Sequence, residues 1–228
     1  MPGDGDLEVL AALSDGQRLR VFEQIQAAGG STVSEIATSL SMGRTLVTFH
    51  LAKLVQAGLV EVVPAHKRLG ARGRPSQSYR LTGREVAASV PDRRYDLLAG
   101  VLLEGVAQHQ PGERAQDSAD RVAYSRGQQL AQQAMPGRAP RGTSARLSRL
   151  DTLLTSLGYV PRRDGTTITV RNCPFDKFRA QNTPQVCALN VSLAQGIVDG
   201  LDLSNRVSVA LQPNPDSCCV VFETGRQV

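Results

Sequence analysis

The run Arg44–Val60, RTLVTFHLAKLVQAGLV, constrains this chain more than any other stretch. Leu46, Val47, Leu51, Leu54 and Val55 recur at helical spacing, so one side of a helix is apolar. The other side carries Arg44, Thr45, Thr48, Lys53 and Gln56. A helix that is apolar on one face and short, polar and cationic on the other can dock on a small core. It also has a width that the major groove of B-DNA admits.

The flanking sequence gives that helix a setting. Residues 7–28 predict two helices, one with the stripe Leu7, Leu10 and Leu13, the next with Leu19, Phe22 and Ile25. Ser14 or Asp15 can cap the second, and Gly29-Gly30 ends it. A short extended piece over Ser31–Val33 precedes a helix capped by Ser34, with Ile36, Ala37 and Leu40 inward. Ser41-Met42-Gly43 then gives the short glycine-containing turn between two crossing helices, and Gly58 closes the second of them. Leu59–Val63 and Ser78–Leu81 alternate as strands around PAHKRLGARGRPSQ. Between Pro64 and Thr82 stand Lys67, Arg68, Arg72, Arg74 and Arg80 with no acid. Gly73-Arg74-Pro75 offers one arginine on a narrow backbone, a shape suited to an A·T-rich minor groove.

Over residues 7–82 the chain resembles a winged helix-turn-helix of the ArsR type. The matching pieces are LSDGQRLRVFEQI, SEIATSLSMGRTLVTFHLAKLVQAGLVE and RGRPSQSYRLT. The resemblance implies that Thr45 and Thr48 face bases, with Arg44 and Lys53 near bases or phosphates. Lys67, Arg68, Arg72 and Arg74 would follow the DNA backbone and minor groove as a wing. His50 either joins this DNA-binding set or packs beside Leu51 and Leu54 and orients the helix. Phe49 either touches a thymine methyl or packs.

Further along, Tyr95–Gln110 carries Leu97, Leu98, Val101, Leu102 and Val106, and Pro111-Gly112 separates it from a helix over Glu113–Ala134. The resemblance implies that such helices dimerise the protein, and a two-fold pair is what a palindromic site requires. Met135–Ser144, MPGRAPRGTS, reads as an exposed connection. Residues 145–228 follow the order helix, two strands, helix, two strands, with Asp164-Gly165 as a hairpin turn. The expected organisation is therefore α+β: a winged helix-turn-helix over 1–88, a helical dimerisation segment over 89–134, a linker over 135–144 and a small α+β sensor domain over 145–228.

The four cysteines all fall in that last segment. The N-terminus MPGDGDLEVL lacks the features of a secretory signal, and no apolar run of membrane-spanning length exists. The expected compartment is the cytoplasm, where clustered cysteines point to metal or redox chemistry more than to cross-links. Cys173 ends a strand, Cys187 lies in the first turn of the long helix, and Cys218 and Cys219 open the last strand. Strand alternation allows only one of that last pair to join a site with the other two, and Cys218 is favoured over Cys219. Three thiolates suit an iron–sulfur cluster with one unusual ligand. Zinc, or no metal with thiols in the core or in a redox pair, are the alternatives.

LGYVPRRDGTTITVRNCPF, PQVCALNVSLAQGIVDGL and the terminal CC resemble the C-terminal half of the SufR-like iron–sulfur repressor family. That resemblance implies a dimeric repressor on a double-stranded DNA operator, controlled by a cluster on Cys173, Cys187 and Cys218. Asp176 stands where the family pattern has histidine, which leaves the fourth ligand between Asp176 and His109. With no metal, the same fold would answer to a small organic ligand or to thiol redox state. No Ser-His-Asp order, phosphate-binding glycine loop or carboxylate pair appears, so the chain is not expected to be an enzyme.

Overall fold

The computed structural model describes residues 4–64, 77–87, 89–135, 142–213 and 217–225. The chain divides into two compact units, residues 2–88 and 89–228.

In the first unit, α1 (Asp4–Leu13), α2 (Gly16–Ala28), α3 (Val33–Leu40) and α4 (Arg44–Gln56) surround an aliphatic core. Asp15 starts α2, and its Oδ1 accepts from the backbone N–H groups of Gln17 and Arg18 at 3.0 and 2.9 Å. The Arg18 N–H foremost holds the Asp15 carboxyl below its usual range. The cap of α3 is Thr32, not Ser34. Its hydroxyl accepts from Glu35 N–H while the Glu35 carboxylate takes the Thr32 N–H at 2.7 Å, a reciprocal capping box. β1 (Ser31–Thr32), β2 (Val60–Val63) and β3 (Ser78–Leu81) form an antiparallel sheet in the order β1-β3-β2.

Burial corrects three of the expected faces. Val21, not Leu19, lies in the core beside Ile25. Val9 is buried where Leu10 is exposed, and Leu46 and Val55 of α4 face outward. The inward stripe of α4 is Val47, His50, Leu51 and Leu54, a single i, i+3, i+4, i+7 line.

The second unit contains α5 (Tyr95–Ala107), α6 (Ala115–Gln133), α7 (Thr143–Ser156), α8 (Asp176–Arg179) and α9 (Thr183–Gly200). Its sheet is antiparallel, with β4 (Pro161–Asp164), β5 (Thr167–Val170), β6 (Val207–Leu211) and β7 (Val220–Thr224) in the order β4-β5-β7-β6. One core runs from Leu98 and Val101 of α5 through Ala123 and Ala131 of α6 to Leu193, Ile197 and Phe222. Residues 89–134, expected as a separate helical segment, share one compact unit and one core with the sheet, while most of the linker expected at 135–144 lies outside the described residues.

Small residues explain that merger. α6 and α9 meet backbone to backbone at Gly127, Gly196 and Gly200. A Cβ on Gly196 would overlap the carbonyl oxygen of Tyr124, and one on Gly127 would overlap that of Leu193. The Tyr124 hydroxyl donates to Asp199 Oδ2 at 2.6 Å across the same seam.

Candidate nucleic-acid interface and thiol cluster

The turn between α3 and α4 sets how α4 is presented. Its left-handed residue is Ser41 (φ 52°), while Gly43 is extended (φ −64°) and starts α4. The Ser41 N–H is within reach of Thr38 O at 3.3 Å, and Met42 N–H donates to Ala37 O at 3.0 Å, satisfying the carbonyls at the end of α3. Gly43 O in turn accepts from Val47 N–H at 3.0 Å.

The inward stripe being fixed, the outward residues follow. Arg44, Thr45, Thr48, Phe49 and Lys53 are all exposed. The Arg44 guanidinium donates to the Ser34 hydroxyl of α3. Thr48 Oγ1 donates to Arg44 O at 2.9 Å, and Lys53 Nζ donates to Gln56 Oε1 at 3.3 Å. No acidic residue lies in α4. His50 is 2% exposed, and neither ring nitrogen has a hydrogen-bond partner. His50 thus packs into the core beside Leu51 and Leu54, the second of its two readings. Phe49 takes the opposite place. It is 53% exposed, its ring edge-on to that of His50 with centroids 5.5 Å apart.

The strands flanking the basic stretch pair in register, Val60 to Leu81 and Val63 to Ser78. Arg80 is spent within that hairpin on Glu61, at 2.5 Å. Lys67, Arg68, Arg72 and Arg74 lie outside the described residues.

In the second unit all four cysteines are buried and reduced. They fall into two pairs. Cys187 Sγ lies 3.1 Å from Cys219 Sγ, and the Cys218 thiol lies near enough to Cys173 to shift its acidity. Asn190 Nδ2 donates to Cys218 Sγ at 3.3 Å, while its Oδ1 accepts from the Tyr159 hydroxyl. The expected exclusion of Cys219 fails for a simple reason. β7 begins at Val220, so Cys218 and Cys219 precede the strand and escape its alternation. Both side chains then turn inward.

The thiols differ in acidity. The neighbouring Cys218 thiol lowers Cys173, helped by the Phe175 N–H and the Arg179 guanidinium against the effect of burial. Cys173 in turn, followed by burial, raises Cys218. Burial, then the neighbouring Cys219, pushes Cys187 up to about 12. Burial likewise raises the Tyr159 hydroxyl, with the Cys218 and Cys173 sulfurs adding to it.

As donors these sulfurs are chemically right for a soft metal or a cluster. Among the described residues no three His, Cys, Asp or Glu side chains converge so as to hold one metal ion. Asp176 is paired with Arg179 at 2.9 Å and Arg93 at 3.8 Å, and His109 lines a separate cleft between α5 and α6.

One feature escaped sequence reasoning altogether. A cleft of about 390 Å³ lies among α5, α6, α8 and α9, next to the thiols in sequence. Leu98, Ala119, Val186 and Leu189 form its buried floor. Tyr95 and Phe178 meet edge to face in its wall, with centroids 5.1 Å apart. Its polar lining is the amides of Gln116, Asn182 and Gln185, and no charged side chain lines it. α8 had not been expected, and without α8 there is no Phe178 wall.

A family model described as a helix-turn-helix domain matches residues 13–63, which span α2 to β2. No curated protein matches the chain. Among the described residues no helix is long and apolar enough to cross a membrane. The matched region is thus a helix-turn-helix domain, the mark of a DNA-binding transcription regulator.

Proposed function

We propose that the chain is a dimeric transcriptional repressor acting in the cytoplasm, binding a palindromic operator through α4 and the β2–β3 wing. The observation that carries this reading is α4 itself. One stripe is locked into the core, while Arg44, Thr45, Thr48 and Lys53 stand exposed together on an acid-free helix. Hydroxyls and methyls suit base edges, and the flanking cations suit phosphates. A second copy would cover the exposed Leu102, Leu103 and Val106 of α5. The test is selection of a duplex from a random pool, followed by Thr48→Ala and Arg74→Ala. The first should change sequence preference. The second should weaken binding to all sequences, and an unchanged affinity would refute the minor-groove role.

Control is assigned to the second unit. A hundredfold change in operator affinity needs only about 2.7 kcal/mol of coupling between effector and DNA. The two thiol pairs favour thiol state as the signal over a bound cluster. Loading iron–sulfur on Cys173, Cys187 and Cys218 would draw Cys187 away from Cys219. Iron and labile-sulfide analysis of anaerobically purified protein decides between them: stoichiometric iron with sulfide restores the cluster reading, and zinc alone would mean a structural site.

A small organic effector is the second reading, favoured by the cleft. Its volume falls in the range of ligand sites, and its uncharged lining selects a neutral, largely apolar molecule. Phe178 of its wall follows Cys173 closely in the chain and Val186 of its floor adjoins Cys187, so filling the cleft would bear on the thiols.

A further inference from the structure

We infer that Phe49 reads thymine methyl groups, so that the preferred DNA site is specified in part by 5-methylpyrimidines and not only by hydrogen-bonded base edges. This rests on the reading that α4 enters the major groove. Within that groove the thymine methyl is the one apolar feature a base pair displays. A phenylalanine is the side chain least served by solvent exposure, yet Phe49 is 53% exposed at the middle of α4. It does not pack in the core, since the core stripe is Val47, His50, Leu51 and Leu54. Instead its ring stands edge-on against the buried His50 ring.

The neighbours on its ridge point the same way. Thr45 and Ala52, four residues before and three after, are exposed on the same face and each ends in a methyl. The Thr48 hydroxyl is already bonded to the Arg44 carbonyl. The ridge thus carries no charge and no amide until Gln56, while Arg44 and Lys53 flank it. Such a surface excludes water from methyl groups better than it pairs with purine edges.

The test uses the full chain and the duplex obtained by selection. Each T·A pair of a half-site is replaced in turn by U·A, which removes the methyl and leaves every hydrogen-bonding group. At one or two positions affinity should fall about fourfold, the factor for one methylene-sized group returned to water. Exchanging C·G for 5-methyl-C·G at those positions should recover the same factor. Phe49→Ala should bring the T-to-U ratio to one there, with an unchanged thermal unfolding midpoint. Should Phe49→Ala bind too weakly to measure, Phe49→Leu keeps an apolar contact and must retain a ratio above one. Equal affinity for T and U at every position overturns the inference while leaving DNA recognition intact. So does discrimination that survives in Phe49→Ala, or a ratio of one in Phe49→Leu. Failure of the selection to yield any specific duplex overturns the DNA reading first, and this inference with it.

Discussion

α4 and the thiol cluster carry the chemistry of the two units, and they are built in opposite senses. In α4 the side chains with functional potential point to solvent, and packing is left to Val47, His50, Leu51 and Leu54. In the second unit Cys173, Cys187, Cys218 and Cys219 are themselves core residues, packed with Tyr159, Asn190 and Val186. The outward face can therefore change its chemistry at little cost in stability. Any change at the thiols also changes packing, so a chemical event there is felt through the fold. The reading face and the sensor proposed above would need opposite placements, and the two features do fall in separate units.

The strongest way to break that contrast is at the α6–α9 seam. Gly196→Ala places a Cβ into the Tyr124 carbonyl, where only backbone can give way. It should destabilise the second unit by about 3 kcal/mol, the upper part of the overpacking range. Gly16→Ala in the first unit meets nothing within 4 Å and sits in a helix, so it should be neutral or stabilising by about 0.5 kcal/mol. Denaturant melts of both variants check this. A Gly196→Ala protein as stable as the wild type would mean that the helices are not in backbone contact.

Asp199 sharpens the same point electrostatically. Burial alone would raise its carboxyl, but Ser204, Tyr124 and Gln195 donate to it at 2.7, 2.6 and 2.9 Å and hold it below 3.8. A folded-state value below the unfolded one contributes stability at pH values above 3.8, and that contribution is lost as pH falls through the folded value. Asp199→Asn should cost about 2 kcal/mol at neutral pH, as expected for charge-assisted hydrogen bonds. It should also flatten the acid side of the stability profile, measured by urea titration from neutral pH to below pH 4. A variant with the same acid slope as the wild type would show that Asp199 does not tie the seam.

How much of this was legible follows from the same contrast. α2 to β2 could be placed because an exposed helix must alternate apolar and polar residues, and its turn must find a left-handed residue. Even there the pattern was blurred. Leu46 and Val55 are apolar yet exposed, so composition by face misassigned both, and His50, polar yet buried, could not be decided from its type. The left-handed residue is Ser41 where glycine was the obvious choice. In the second unit the limits were deeper. Gly127, Gly196 and Gly200 look like weak helix formers in sequence, whereas in the fold they are the contact surface that joins α6 to α9. Cys219 was set aside on strand alternation that begins one residue too late to govern it. The cleft depends on α8, four residues long, which has no periodicity to betray it.

A smaller effect than that of Asp199→Asn tests which side of α4 is which. His50 is buried with both ring nitrogens unpartnered, so the imidazole has given up water without a hydrogen bond in return. Replacing it with a purely apolar side chain of similar size removes that penalty and keeps the stripe with Val47, Leu51 and Leu54. His50→Leu should therefore stabilise the first unit by about 1 kcal/mol, read from its thermal midpoint. DNA affinity should stay within experimental error, because nothing on the outward ridge has changed. A variant that is more stable but has lost sequence preference would place His50 in the reading face after all, and would end the clean division of α4 into a packing side and a reading side.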